Sequence, residues 1–168
     1  MKKIILSALM LIGLAFTAQA QDISKNALGL RLGGNNGFGG ELSYQRGLSK
    51  SNRLELDLGW RNRNNYENSG YDDNAIKLAA LYQWVWNIDG GFNWYASVGG
   101  GVGNYSYDVK NDKRYSDTFV FAAGDIGIEY NFDFPLLISL DFRPEFGGNG
   151  YYKNNYGSDI ALGLRFQF

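Results

Sequence analysis

Apolar and polar residues alternate with a period of two along most of the chain, and clusters of Gly, Asn and Asp interrupt the alternation. Eight segments of this kind can be read. The first sets Leu28, Leu30 and Leu32 against Gly29, Arg31 and Gly33, and the second sets Phe38, Gly40, Leu42 and Tyr44 against Glu41, Ser43 and Gln45. In the third, Leu54, Leu56, Leu58 and Trp60 oppose Glu55, Asp57, Gly59 and Arg61. The fourth places Ile76, Leu78, Ala80, Tyr82, Trp84 and Trp86 opposite Lys77, Ala79, Leu81, Gln83 and Val85, so its second face is partly apolar. The fifth has Phe92, Trp94, Ala96, Val98 and Val102 on one face and Asn93, Tyr95, Ser97 and Gly99 on the other. The sixth sets Val120, Ala122, Ile126, Ile128, Tyr130 and Phe132 against Asp125, Gly127, Glu129 and Asn131, with Phe119 and Phe121 out of pattern. The seventh opposes Leu136, Ile138, Leu140 and Phe142 to Ser139, Asp141, Arg143 and Glu145. The eighth opposes Ile160, Leu162, Leu164, Phe166 and Phe168 to Asp159, Ala161, Gly163, Arg165 and Gln167. A period of two marks half-buried strands rather than helices. Runs of roughly 8 to 12 residues suit tilted strands that cross a bilayer.

The connectors alternate in length. Leu48–Asn52, Asn87–Gly91 and Asp133–Pro135 are short; Asn62–Asn74, Asn104–Asp117 and Gly147–Gly157 are long; Asn35-Asn36-Gly37 is short although it falls in the long series. Membrane barrels have short periplasmic turns and longer outer loops. The pattern therefore predicts an all-β fold: an eight-stranded, antiparallel, up-and-down transmembrane β-barrel with a polar interior filled by side chains.

Alternation alone does not say which face is outside, because a soluble, lipocalin-like ligand-binding barrel alternates too. Aromatic placement favours lipid outside. Tyr44, Trp84, Trp86, Phe92, Trp94, Tyr130, Phe132, Phe166 and Phe168 fall at the short-turn end, and Trp60, Tyr105, Phe142 and Phe146 at the other, with an aliphatic band between. Two aromatic girdles around such a band are expected of a barrel in a membrane. The opposite face mixes acids with Arg and Lys, which suits a lumen closed by ion pairs. If the odd-numbered residues point inward, a three-residue turn at Asn35-Asn36-Gly37 pairs Gly34 with Phe38 and sets Arg31 opposite Glu41. The turn Asp133-Phe134-Pro135 likewise sets Asp125 opposite Arg143. Both pairs are predicted as interior ion pairs, since a buried charge without a partner is costly. Glu55, Asp57, Arg61, Lys77, Glu129, Asp141, Asp159 and Arg165 complete the predicted interior.

Composition adds an export signal and removes most chemistry. Met1-Lys2-Lys3, the apolar run Ile4–Phe16 and Ala18-Gln19-Ala20 have the layout of a secretory signal, predicting cleavage after Ala20. Residues 1–20 are thus read as a signal peptide and 21–168 as the barrel domain. The net charge is −1, and loss of Lys2 and Lys3 makes the rest only slightly more acidic. That is too mild to imply nucleic acid or any strongly charged partner. There is no Cys and no His, so no disulfide, no lipidated Cys, and no Ser-His, Cys-His or His-metal site can form. No cofactor is expected, and the chain reads as a non-enzyme. Glu55 and Asp57, two apart on one face, are read as lumen carboxylates neutralised by Arg and Lys rather than as an acid/base pair. Gly99-Gly100-Gly101-Val102-Gly103 lacks the Lys-Ser/Thr of a phosphate loop; glycines beneath neighbouring aromatics, or a kink in the wall, account for it better. Asp108, Asp112 and Asp117 match no known Ca²⁺ loop spacing. Arg46 falls on the apolar face at a strand end, where it can snorkel to headgroups.

The run Ile160-Ala161-Leu162-Gly163-Leu164-Arg165-Phe166-Gln167-Phe168 resembles the C-terminal signature of outer-membrane barrels. With eight strands and no further domain, the chain resembles the small OmpA/OmpX-like and opacity-type barrels of the Gram-negative cell envelope. The resemblance implies integral placement in the outer membrane, contact with its lipid and lipopolysaccharide, and reading of Phe168 by the barrel assembly machinery. Small barrels that act as lipid A deacylases or acyltransferases use Ser-His sites, which this chain cannot build. The reading is a structural barrel with surface contact through its outer loops, with a narrow porin-like pore as the alternative. Tyr66, Tyr71, Tyr107, Tyr115, Tyr151, Tyr152 and Tyr156 are the candidate contact residues for an unknown surface ligand, Tyr and Asn being favoured in binding loops. Trp60, Trp84, Trp86, Trp94, Tyr130 and Phe166 are the core of the predicted girdles.

Overall fold

A computed structural model describes residues 23–34, 38–64, 71–109, 113–147 and 153–168. The predicted signal segment 1–20, the turn Asn35-Asn36-Gly37, and Asp112, Tyr66, Tyr151 and Tyr152 lie outside the described residues. The alternating segments form β1 (Asn26–Gly33), β2 (Gly40–Gly47), β3 (Asn52–Asn64), β4 (Tyr71–Asp89), β5 (Phe92–Val109), β6 (Lys113–Asn131), β7 (Leu136–Gly147) and β8 (Tyr156–Gln167). Each strand pairs antiparallel with its sequence neighbours, and β1 pairs with β8 to close the barrel. Closure leaves no unpaired sheet edge around the barrel wall.

The alternation sorts the faces by parity. Outward Leu30 is 45% exposed and Ile160 67%, whereas inward Arg143 is fully buried. Along β4, Ile76 to Trp86 covers ten rises, about 33 Å, which at a tilt near 40° gives about 25 Å along the barrel axis, the height of a lipid-facing band. Below it the chain turns tightly. Gly90 and Gly91 join β4 to β5, with Gly90 at φ 52° and a register shift between Asn87 and Asp89.

The strands are longer than the hydrophobic pattern predicts. Asn62–Asn74 and Asn104–Asp117, read above as long loops, are largely strand: β3 runs to Asn64 and β4 starts at Tyr71, while β5 runs to Val109 and β6 starts at Lys113. Past Ile76 and Val102 the even-numbered positions turn polar, as at Asn74, Asn104 and Ser106, so the apolar alternation stops although the backbone ladder continues. Tyr71, Tyr107 and Tyr115 are therefore strand residues, and Tyr156 opens β8 opposite Phe146. Asp108 lies in register with Arg114 and Asp117 with Tyr105, three rungs apart on the β5–β6 ladder.

Two residues reverse their expected face. Phe38 points inward and is buried. β1 ends at Gly33 and β2 starts at Gly40; between them Gly39 has φ 67° and the Gly40 amide donates to the Phe38 carbonyl at 2.6 Å. A left-handed residue breaks the two-residue parity at that point, so the pairing of Gly34 with Phe38 is not part of the strand ladder. Tyr105 also turns inward, packing on a lumen cluster of Ala79, Leu81, Phe119, Phe121 and Ala123, and so does not join the outer girdle. This cluster accounts for the blurred second face of β4 and the out-of-pattern Phe119 and Phe121. A Cβ on Gly101 would collide with the Phe121 ring and one on Gly103 with Phe119, so these glycines make room for the two rings.

Candidate functional site

The interior is an ion network held by side chains from all eight strands. Eight strands leave an interior just wide enough for side chains to fill. Arg31 on β1 reaches Glu41 on β2 at 3.1 Å, Asp159 on β8 at 2.9 Å and Asp141 on β7 at 2.5 Å. Arg143 on β7 lies 3.2 Å from Asp125, 2.7 Å from Glu55, 2.7 Å from Asp57 and 3.4 Å from Glu41. Each of the two expected contacts is thus one spoke of a larger cluster. The β6–β7 ladder runs Ala123↔Glu145 and then Ile126↔Phe142, which brings Asp125 alongside Arg143.

The remaining cations divide the lumen into further layers. Arg165 donates to Ser43 and Ser139 at 2.9 Å each and to Glu55 at 3.3 Å. Lys77 bridges Glu41 and Glu145, both at 2.9 Å, and sits 4.9 Å from the Phe38 ring centre. Arg61 also lies over that ring, 5.4 Å from its centre. Phe38 therefore acts as an inward aromatic platform for two cations, a favourable arrangement for ring and charge. Toward the short-turn end, Arg53 grips both Glu129 oxygens at 3.2 and 2.6 Å and lies 5.1 Å from the Tyr95 ring. The Tyr95 hydroxyl donates to Asp141 at 3.3 Å.

Arg53, Glu145, Gln45 and Gln83 are network members that the site prediction left out. Parity could have found Arg53, which stands one residue before the clear alternation of β3. Gln45 and Gln83 both donate to Glu55, at 2.6 and 3.0 Å, so this carboxylate receives two amides and two guanidinium groups. At the short-turn end, a cavity lined by Ala27, Gln45, Arg53, Asn93, Glu129 and Leu137 has a volume of about 10 Å³, room for a single water.

The outer wall carries the aromatics. Trp86 and Trp94 stack at 4.2 Å, Phe92 and Tyr130 meet edge-on at 4.6 Å, and Tyr82 and Trp84 at 5.0 Å. Phe166 and Phe168 stack at 6.4 Å. Trp60 stands at the opposite rim, as do Phe146 and Tyr156, which pack at 5.2 Å. Phe168 is held on β1 through main-chain hydrogen bonds with Asn26 at 2.9 and 3.1 Å, while its ring is exposed.

No protein-family model matches the chain, and no curated protein matches it in sequence. Solved structures match its fold. Neisserial surface protein A (NspA) aligns with a TM-score of 0.62 at 14% identity, covering 85% of this chain and 94% of its own. The N-terminal β-barrel domain of Pseudomonas aeruginosa OprF gives 0.60 at 17% identity, covering 87% and 100%. Ail, the attachment invasion locus protein of Yersinia pestis, gives 0.57 at 15% identity, covering 86% and 97%, and has also been solved with the heparin analogue sucrose octasulfate. These proteins are eight-stranded outer-membrane barrels, and the chain has the fold of this small, OmpA/OmpX-like type. At such identities the match speaks for the fold alone and for no particular role or ligand.

Proposed function

We propose that this chain is a non-enzymatic outer-membrane barrel whose lumen serves as a rigid plug and whose outer hairpins make surface contacts. The observation that carries the reading is the ion network across the middle of the barrel, in which Arg31, Arg143 and Arg165 are each buried against acids or hydroxyls from other strands. A lumen so filled supports a structural role over the alternative of a narrow solute pore. The projecting parts of β3–β6 supply polar surface above the lipid, and the tyrosines at Tyr66, Tyr71, Tyr107, Tyr115, Tyr151, Tyr152 and Tyr156 are the contact residues assigned to it.

In this reading residues 1–20 direct export and are removed, and Phe168 presents the signal for the assembly machinery. Lipid and lipopolysaccharide surround the wall. Because Ail has been solved with a heparin analogue, a sulfated polysaccharide is the first surface ligand to try. Two measurements test the proposal. Planar-bilayer recording is expected to show no steady open current, and sustained unit conductance would overturn the plug. Whole cells displaying the barrel are expected to bind a sulfated-polysaccharide surface or another cell surface more than cells displaying a form with the hairpins shortened. Equal binding by both would overturn the contact role.

A further inference from the structure

On β1–β3 the even-numbered strand positions carry one charge, Arg46. It stands at the short-turn end of β2, directly opposite Asn26 on β1 and Leu54 on β3. Its Nη1 donates to Asn26 Oδ1 at 2.7 Å, and the Tyr44 hydroxyl donates to the same oxygen at 2.9 Å. Asn26 Nδ2 in turn donates to the Phe168 carbonyl at 3.3 Å, which fixes the amide. The guanidinium is thus held against the wall of the barrel rather than left to wave into water.

The clamp is neutral, so it orients the cation without cancelling its charge. Every described carboxylate of β1–β3, namely Glu41, Glu55 and Asp57, is buried in the lumen. No described acid on these strands can therefore pair with Arg46 from the lipid side. An arginine has five donors in a planar fork, and Asn26 takes one of them. What fits the rest is a planar or tetrahedral oxyanion that approaches along the outer wall. At a membrane interface the abundant oxyanion is the phosphodiester of a lipid headgroup.

We infer that Arg46, oriented by Asn26 and flanked by Tyr44, is a phospholipid-phosphate site on the outer wall at the short-turn rim, which in barrels of this kind faces the periplasmic leaflet. The site rests on the outward face meeting lipid. The Tyr44 ring and Leu54 would lie along the first acyl carbons, while the guanidinium fork takes the phosphate oxygens.

The test is native mass spectrometry of the barrel purified from membranes, in detergent micelles doped with phosphatidylglycerol. Wild type is expected to retain one phosphatidylglycerol more tightly than Arg46→Gln by about tenfold, the worth of one strong charge-assisted contact. Arg46→Lys should fall between them, and Asn26→Ala should weaken retention while leaving the charge. A diacylglycerol with the same acyl chains should show no difference between wild type and Arg46→Gln. Equal retention of phosphatidylglycerol by wild type and Arg46→Gln would overturn the site. Displacement of the lipid by soluble glycerophosphate at matched concentration would reassign it to free phosphate and overturn the lipid assignment. A shift in gel mobility between boiled and unboiled samples reports separately that each variant is a folded barrel, so a failure of the fold is not mistaken for a failure of the site.

Discussion

Arg143 Nη2 donates to Glu55 Oε1 at 2.7 Å across the lumen, joining β7 to β3 over a sequence separation of 88 residues. The two strands are not neighbours in the sheet, so this contact ties the wall together through its interior. The same guanidinium also faces Asp57, Asp125 and Glu41. Arg143→Ala would leave four carboxylates short of a counter-charge in a closed interior. A loss of about 3–5 kcal/mol is expected, measured by urea unfolding in detergent. Arg143→Met accompanied by Glu55→Gln and Asp57→Asn should recover part of it, because the lost cation is then matched by lost anions.

Arg31 offers a contrast between a local and a distant partner. Glu41 faces it across the β1–β2 ladder, yet Asp141, 110 residues away, receives both its Nε and its Nη2. Glu41→Gln alone should therefore not rescue Arg31→Ala, since Glu41 keeps Lys77 and Arg143 as partners. In double-mutant cycles, the coupling of Arg31 to Asp141 should exceed that to Glu41 by about 1 kcal/mol. Equal couplings would mean that the cross-strand pair dominates after all.

Leu56 tests the outward face. It points away from the lumen between Tyr44 on β2 and Ala80 on β4. Leu56→Arg, within the lipid band, should cost about 2–4 kcal/mol and reduce the fraction of chain that assembles into membranes. Unchanged assembly would place that face in water.

Gly103 lies beneath the Phe119 ring and near the Ile76 carbonyl, where an added Cβ has no room. Gly103→Ala is expected to cost about 1–3 kcal/mol through overpacking. Phe119→Leu, which trims the ring, should return part of that stability when the two are combined. The check is the unfolding midpoint of the single and double variants.

Above Asn104 and Thr118, β5 pairs only with β4 and β6. Replacing residues 107–115 by a short turn should leave the boiled-versus-unboiled gel shift intact, because the ion network and the girdles lie below. Loss of the shift would show that the hairpin is needed for folding and not only for contact.

The sequence by itself determined the strand count, the outward face and the register of the short hairpins. These follow from local rules. The side-chain period is two, so Leu28, Leu30 and Leu32 are fixed on the face away from Arg31, and a tight turn ties the pairing of the strands it joins. Arg31 opposite Glu41 is legible from shared parity and the shortness of the connector, although the chain leaves the predicted turn pairing at Gly39. Only the tertiary structure decided which acid meets which base across the lumen, because closure brings β7 and β8 back to β1 and places Asp141 nearer the Arg31 fork than any local rule can say. It also decided the direction of Phe38, where a left-handed Gly39 breaks the parity, and the true length of β3–β6, where the apolar alternation ends while main-chain pairing continues. Arg46 was legible as a charge on the apolar face; that Asn26 and Tyr44 hold it there required β1, β2 and β8 to meet at one rim.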